Sequence, residues 1–396
     1  MGGLRAGAAL SEHPLATHAV GECVGQLLDA GGHGPDLLVV FVTPPLAGVL
    51  EDVVAAARGL LAPGVLLACT SASVHGGARA VEHVGAVAMF AAWGVTGGVR
   101  PVRIAPGRSS DDAAPEVQGH VRDGGGTLLL LADPFSTGPT TLLAAADRRT
   151  DGVAVLGGFA SGARGPGGNL MVLDDAHHRD GAVGALFPPS AQLRGLVSQG
   201  TRPIGEPLTV TAAERNVVRS LAGAPALERL RETVARLSPE DRSTAARALY
   251  LGRVLDEGAS DDAARQVLVR PLLGADRDTG AVAVGPAGGD GSATPDPGDE
   301  AAVGATVQFH LRDAASVDAD LRRVLEGHRA AGSLLLTGDG RGSALFGTPD
   351  HDPAVVSEAL LGAPIAGMGC AGELSPVGRS NRAHTGSAVL ALFGGA

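Results

Sequence analysis

The chain contains no lysine; all 31 of its basic residues are arginine. A Walker-type phosphate loop and a Schiff-base site both depend on a lysine amine, so those chemistries are excluded. Aromatic residues make up only 3% of the sequence, so its cores must be built from Ala, Val and Leu. A surface on which nucleobases stack is equally unexpected. The net charge of −11, with both signs interspersed, argues against a nucleic-acid backbone or an anionic membrane as partner. Cys23, Cys69 and Cys370 are far apart and form no CxxC pair, which suggests neither a disulfide framework nor a zinc knuckle. No apolar signal core follows Met1. The longest apolar stretch, Leu37 to Leu50, is interrupted by Pro44-Pro45 and falls short of the ~20 residues of a membrane span. A cytoplasmic, soluble protein is expected. No GxSxG pentapeptide is present, so no nucleophile elbow is indicated. Ser161 and Ser198 lie in tight turns with no base nearby in sequence, and turn chemistry is their default role.

What is present reads as α/β, a mixed α+β fold in two lobes of mixed sheets flanked by helices. At 396 residues two domains are expected, spanning 15–235 and 236–394, with the break in the helical stretch from about Pro225 to Tyr250. Leu37 to Val42 is a continuous apolar run, suited to a strand buried on both faces. After Pro44-Pro45, residues Leu46, Val49, Leu50, Val53, Val54, Ala57, Leu60 and Leu61 form a helical stripe. Val65 to Cys69 is the next strand, and Val84 to Phe90 a later one. That order recurs. Thr127 to Ala132, Pro139 to Ala146, Val153 to Leu156 and Ala182 to Phe187 repeat it. Ser333 to Leu336, Pro353 to Leu361, Pro364 to Ala366 and Ser387 to Phe393 repeat it again. A β-α-β unit is thus used at least three times. Asn169 to Val210 suggests antiparallel hairpins. Pro225 and Ser238-Pro239-Glu240 each open a helix, the second ending near Tyr250. The Gly/Pro/Asp-rich segment 285–300 is expected to be a mobile loop.

Several motifs carry candidate chemistry. Gly367-Met368-Gly369-Cys370-Ala371-Gly372 matches GxGxxG and is read as a turn. A dinucleotide site also needs a helix to open there, and Glu373 to Gly378 has a proline and no helical period. In Asp350-His351-Asp352, the residue before Pro353 reads as a helix N-cap rather than a metal ligand. The pair His177-His178 beside Asp174-Asp175 reads as a solvated turn. Arg341 stands in Gly338-Asp339-Gly340-Arg341-Gly342, where flanking glycines leave its guanidinium room to meet a carboxylate or to brace the loop. Glu373 ends a buried strand and could receive a ligand amine or pair with Arg341. Asn381 and His384 lie just before the last strand, where a pocket mouth is expected.

The stretch Ser198 to Thr211 (SQGTRPIGEPLTVT) and Leu221 to Ala226 resemble a signature of the N-terminal FIST domain. Gln308 to Asp313, Gly340 to Gly347, Asp350 to Asp352, Pro364 to Gly367, Gly372 to Pro376 and His384 are similar to its C-terminal companion. The likeness runs from about His18 to Phe393 and marks a FIST-family protein of the bacterial stand-alone type. It implies a sensory, ligand-binding protein of signal transduction, with an amino acid or other small polar metabolite as ligand and a signalling protein supplied in trans. One departure is that Gly338-Asp339 stands where family members often carry Cys-Asn. The expected ligand-binding residues are Arg341, Glu373, Asn381 and His384, with Arg202 and Glu206; no catalytic residue, metal or cofactor is expected. Two alternatives remain open. One is a haem-binding gas sensor with an axial ligand among His310, His351, His384 and Cys370. The other is an enzyme using Glu373 or Asp339 as acid or base.

Overall fold

The computed structural model describes residues 3–106, 126–139, 142–143, 146, 153–255, 267–285, 302–378 and 380–394. Segment 286–301, which covers most of the expected mobile loop, lies outside them. The chain divides into two units: residues 1–198 with 321–396, and residues 199–320.

The first unit is one supersecondary pattern used three times. In the first repeat, β1 (Arg5–Ser11) leads through α1 (Ala16–Gly31) to β2 (Leu37–Val42). The chain then passes through a 3-10 turn (Pro44–Val49) and α2 (Leu50–Leu61) to β3 (Val65–Thr70). A hairpin, β4 (Ser73–Gly76) and β5 (Arg79–Glu82), precedes β6 (Val87–Trp93). The double proline therefore starts the helical stretch as a 3-10 segment, and Leu60 faces solvent. The second repeat supplies β7 (Arg100–Ile104), β8 (Gly126–Ala132), β9 (Val153–Phe159), the hairpin β10 (Met171–Leu173) and β11 (Ala176–His178), and β12 (Ala182–Phe187). Between β8 and β9, Pro139, Leu142, Leu143 and Ala146 have helical backbone. The third repeat opens with β13 (Leu193–Ser198), which leads straight into the inserted second unit.

That unit contains β14 (Arg202–Glu214), β15 (Val217–Leu221), β16 (Ala224–Pro225), α3 (Ala226–Ala235), α4 (Pro239–Ala245), β17 (Leu249–Val254), β18 (Val267–Ala275), β19 (Val282–Val284) and β20 (Thr306–Leu311). The strands run in the order β14-β20-β17-β18-β19-β15, and β15 pairs back onto β14. Every pairing is antiparallel, so the sheet closes into a barrel and leaves no edge within that ring. Ile204, Val210, Val218, Leu251, Val307 and Phe309 belong to its core. Ser238 caps α4 by accepting from Asp241 N at 3.1 Å. The helix ends at Ala245, and Tyr250 lies on a strand.

The boundary back to the first unit falls within α5 (Ala314–Leu325). The third repeat then continues with β21 (Gly332–Gly338), the short α6 (Ser343–Phe346), α7 (His351–Ala359) and β22 (Ile365–Cys370). The hairpin β23 (Glu373–Val377) and β24 (Ser380–His384) and the final β25 (Ala388–Phe393) complete it. The spatial division thus departs from the expected cut near residue 235. The strands after residue 320 pack with those before 198, because only together do the three repeats bury their inner faces.

Each repeat forms a sheet with the same plan. The orders are β1-β6-β2-β3-β10-β11, β7-β12-β8-β9-β23-β24 and β13-β25-β21-β22-β4-β5. In each, the two strands joined through the second crossover are parallel, as a β-α-β unit requires, and the neighbours outside them are antiparallel. The hairpin of each repeat does not stay home. The first repeat's hairpin joins the third sheet, the second's joins the first, and the third's joins the second. The inner faces of all three sheets share one apolar core. At its centre Phe393 meets Phe90 at 4.8 Å and Phe187 at 5.8 Å between ring centroids. The helices cover the outer faces of the first and third sheets.

Candidate functional site

In sheets with parallel strands, ligands bind beyond the strands' carboxyl ends. Beyond β21 and β22 lies a cavity of about 450 Å³, lined by β21 and its following loop, by the exchanged hairpin β4–β5 and by Asp352. Gly367-Met368-Gly369 lies in β22, behind the hairpin that lines the cavity. These residues are strand rather than turn: Met368 and Cys370 face the common core, while Gly367 and Gly369 allow close packing on the opposite side, where an added Cβ would meet Leu335 O or Ser73 Oγ. No helix opens after Gly372, since β23 begins there, so a dinucleotide site lacks its helix N-terminus. The carbonyl of Gly369 accepts from Ser71 Oγ at 2.7 Å and Ser161 Oγ at 2.6 Å, which gives Ser161 a clasping role.

Arg341 is turned inward by its neighbours. Gly340 and Gly342 have φ of 97° and 66°, left-handed values that cost a glycine little. Arg341 is 5% exposed, and its guanidinium makes a two-point ion pair with Asp352, Nε to Oδ2 at 2.5 Å and Nη2 to Oδ1 at 2.9 Å. Its third nitrogen, Nη1, is buried and has no hydrogen-bond partner among the described residues. Asp352 was expected to cap the helix, but it sits inside the first turn of α7 and caps nothing. The backbone N–H groups there favour an anion, and Oδ1 also receives His351 Nδ1 at 3.0 Å. Burial opposes its charge, yet Arg341 and His351 outweigh that effect and hold the carboxyl well below the usual range. His351 is fixed by stacking on Phe346 at 3.5 Å. Asp350 accepts from Ala80 N at 2.8 Å, tying the start of α7 to β5.

The opposite wall is supplied by the hairpin. His75 pairs opposite Gly367 and shares a 2.9 Å hydrogen bond with Thr337 Oγ1. Burial pushes its imidazole down to about 4, so it is neutral at pH 7. Glu82 Oε1 accepts from Ser343 N at 3.2 Å. Asp339, whose N–H donates to Cys370 O at 2.8 Å, presents its carboxyl at the open mouth. Although water reaches it, the surrounding walls remove enough solvent to raise it to about 6.

Of the residues expected to bind ligand, only Arg341 lines this cavity. Glu373 is fully buried at the start of β23, where Oε2 accepts from Ser387 N at 2.7 Å. It lies behind Gly338, whose added Cβ would come 2.5 Å from Glu373 Oε1, and the ion partner of Arg341 is Asp352 instead. Asn381 braces β9, donating to Val153 O at 2.8 Å and accepting from Val155 N at 2.7 Å. His384 donates to Ser375 O at 3.2 Å within its own hairpin. Arg202 and Glu206 belong to the second unit, Arg202 paired with Asp241 and Asp313 and Glu206 exposed. The haem-ligand candidates His310, His351, His384 and Cys370 do not line the cavity either; burial holds the Cys370 thiol well above its usual range. Among the described residues no group of three or more His, Cys, Asp or Glu is placed to hold a metal ion. Likewise no described helix is long and apolar enough to cross a membrane.

The arrangement can take a ligand bearing a hydrogen-bond acceptor for Arg341 and a cation for the facing carboxylates. The architecture is thus a three-repeat α/β unit with a polar cavity at its strand ends, carrying an inserted β-barrel. The FIST N domain matches residues 36–224 and the FIST C domain residues 226–376. An uncharacterised Mycobacterium bovis protein, Mb0898c, is 34% identical over 400 residues, covering 98% of this chain and 99% of its own. An uncharacterised protein of Mycobacterium tuberculosis, Rv0628c, is 34% identical over 414 residues, covering 98% and 100%. The chain belongs to the FIST family, whose domains are sensory domains of signal transduction.

Proposed function

We propose that this chain senses a small zwitterion of the amino-acid class in the cavity beyond β21, and relays its presence to a signalling protein supplied in trans. The ligand carboxylate accepts from Arg341 Nη1, and its ammonium faces Asp339, which takes the role first expected of Glu373. The observation that carries this reading is the buried Nη1 donor without a partner in a cavity of about 450 Å³, a volume ordinary for small-molecule sites. An unmet buried donor costs about 1–3 kcal/mol, and a ligand oxygen would recover that.

The test is thermal unfolding of the full chain with each common amino acid, followed by fluorescence of Trp93, the single tryptophan, which lies in the first unit. A ligand at a hundred times its dissociation constant adds about 2.7 kcal/mol. The gain should disappear in Arg341→Lys. Should that variant fold poorly, loss of the gain in Asp339→Ala serves instead. Unchanged melting with every amino acid would refute the reading.

A further inference from the structure

Six side chains lining the cavity can carry charge: His75, Glu82, His83, Asp339, Arg341 and Asp352. Arg341 and Asp352 neutralise each other at two points. His75, without water around it, is uncharged at pH 7. Among the described residues, Glu82 meets the neutral Ser343 N–H and, at 3.9 Å, His83, whose side chain is 90% exposed at the mouth. Asp339 has no cationic neighbour among the lining residues other than the already paired Arg341. Among the described residues, two carboxylates therefore face the cavity with no buried cation beyond the already paired Arg341 to balance them.

An acidic cluster alone defines no ligand, but Arg341 adds an independent constraint. It is 95% buried by the complement of its exposure, and Nη1 demands an acceptor. A diamine satisfies the carboxylates and leaves Nη1 unmet. A neutral-side-chain amino acid satisfies Nη1 and one carboxylate, and leaves the second uncompensated. A ligand with one carboxylate and two cationic groups satisfies all three.

We infer that the cavity selects basic amino acids, the α-carboxylate on Arg341 and the two cationic groups against Asp339 and Glu82. This rests on the proposed function and narrows its ligand class. The carboxyl of Asp339, raised to about 6 by lost solvent, is the group that such a cation would compensate.

Titration calorimetry on the full chain with five probes tests the inference: L-lysine, L-arginine, L-norleucine, L-glutamate and agmatine. Norleucine has nearly the length of lysine without its second charge, and agmatine is arginine without its carboxylate. Lysine or arginine should bind at least tenfold tighter than norleucine, with glutamate weaker still and agmatine at least tenfold weaker than arginine. Glu82→Gln should weaken lysine binding and leave norleucine nearly unchanged, whereas Asp339→Asn should weaken both, since both carry the α-ammonium, with Trp93 fluorescence confirming the fold. Norleucine binding as tightly as lysine would overturn the inference while leaving the amino-acid reading intact. Agmatine matching arginine would overturn the assignment of Arg341. If no amino acid binds at all, the proposed function itself fails, and the inference with it.

Discussion

Replacing Asp352 by alanine removes the partner of a guanidinium that is almost fully enclosed. Nε and Nη2 would then join Nη1 as buried donors without an acceptor. Breaking one half of a buried ion pair costs about 3–5 kcal/mol, because the remaining charge stays desolvated. At roughly 2–4 °C per kcal/mol for a domain of this scale, the first unit should lose about 6–20 °C. Trp93 fluorescence, excited where Tyr250 does not absorb, reports that unit alone. The internal control is Glu358→Ala, which breaks the Arg322–Glu358 pair at 3.1 Å, whose side chains are 51% and 73% exposed. A pair so open is worth at most ~1 kcal/mol. Replacing both Arg341 and Asp352 by methionine should cost less than Asp352→Ala, since no charge is left buried. Acid supplies a further check. The Asp352 carboxyl is depressed in the folded state, so its contribution is present above the unfolded value near 4 and lost as pH falls below it. A loss in Asp352→Ala no greater than that in Glu358→Ala would refute the reasoning.

Phe393→Ala should cost about 3–5 kcal/mol, since its ring meets those of Phe90 and Phe187 at the junction of the three sheets; a loss below 1 kcal/mol by Trp93 fluorescence would contradict this. His75 and His310, each held down to about 4 by burial, bind fewer protons folded than unfolded. Stability should therefore fall as pH drops from about 6.5 to 4, by up to ~1.4 kcal/mol per pH unit for each histidine. Trp93 follows this in the first unit and Tyr250 in the second; flat melting temperatures over that range would be the contrary result. A cationic ligand should draw the raised Asp339 carboxyl downward, so binding releases protons and tightens as pH rises through about 6. Calorimetry in buffers of different ionisation heat measures this, and proton uptake would count against it.

The repeated β-α-β unit was legible because its strands are buried on both faces and therefore run continuously apolar, as in Leu37–Val42 and Thr127–Ala132. Helix starts at Ala226 and Pro239 were legible from their proline and serine signals. Which hairpin joins which sheet was not. The pairing of His75 with Gly367 depends on how three sheets enclose a core, and no local pattern encodes that. Most of the candidate site was hidden for the same reason: His75 and Glu82 come from the first repeat, Asp339 and Arg341 from the third. Arg341 was readable from its flanking glycines. Its partner was not, because Asp352 before Pro353 carries the same signature as a helix cap. Glu373, Asn381 and His384 have the polar character and the strand-end position of pocket residues. Their polar atoms instead hold backbone groups inside the fold.

The exchange of hairpins among the three sheets also bears on synthesis. The β4–β5 hairpin leaves the ribosome about 290 residues before β22, the strand it must pair with. At ~5–20 residues per second, that is a wait of roughly 15 s to 1 min. Throughout that interval the edge of β4 that pairs with β22 has no native partner, which places the burden of preventing misassociation on whatever shields nascent chains. The cavity, with one wall from residues 72–83 and the other from residues 337–352, comes into being only after the third repeat has been synthesised. Ligand binding is therefore closed to any nascent chain that has not yet reached the third repeat.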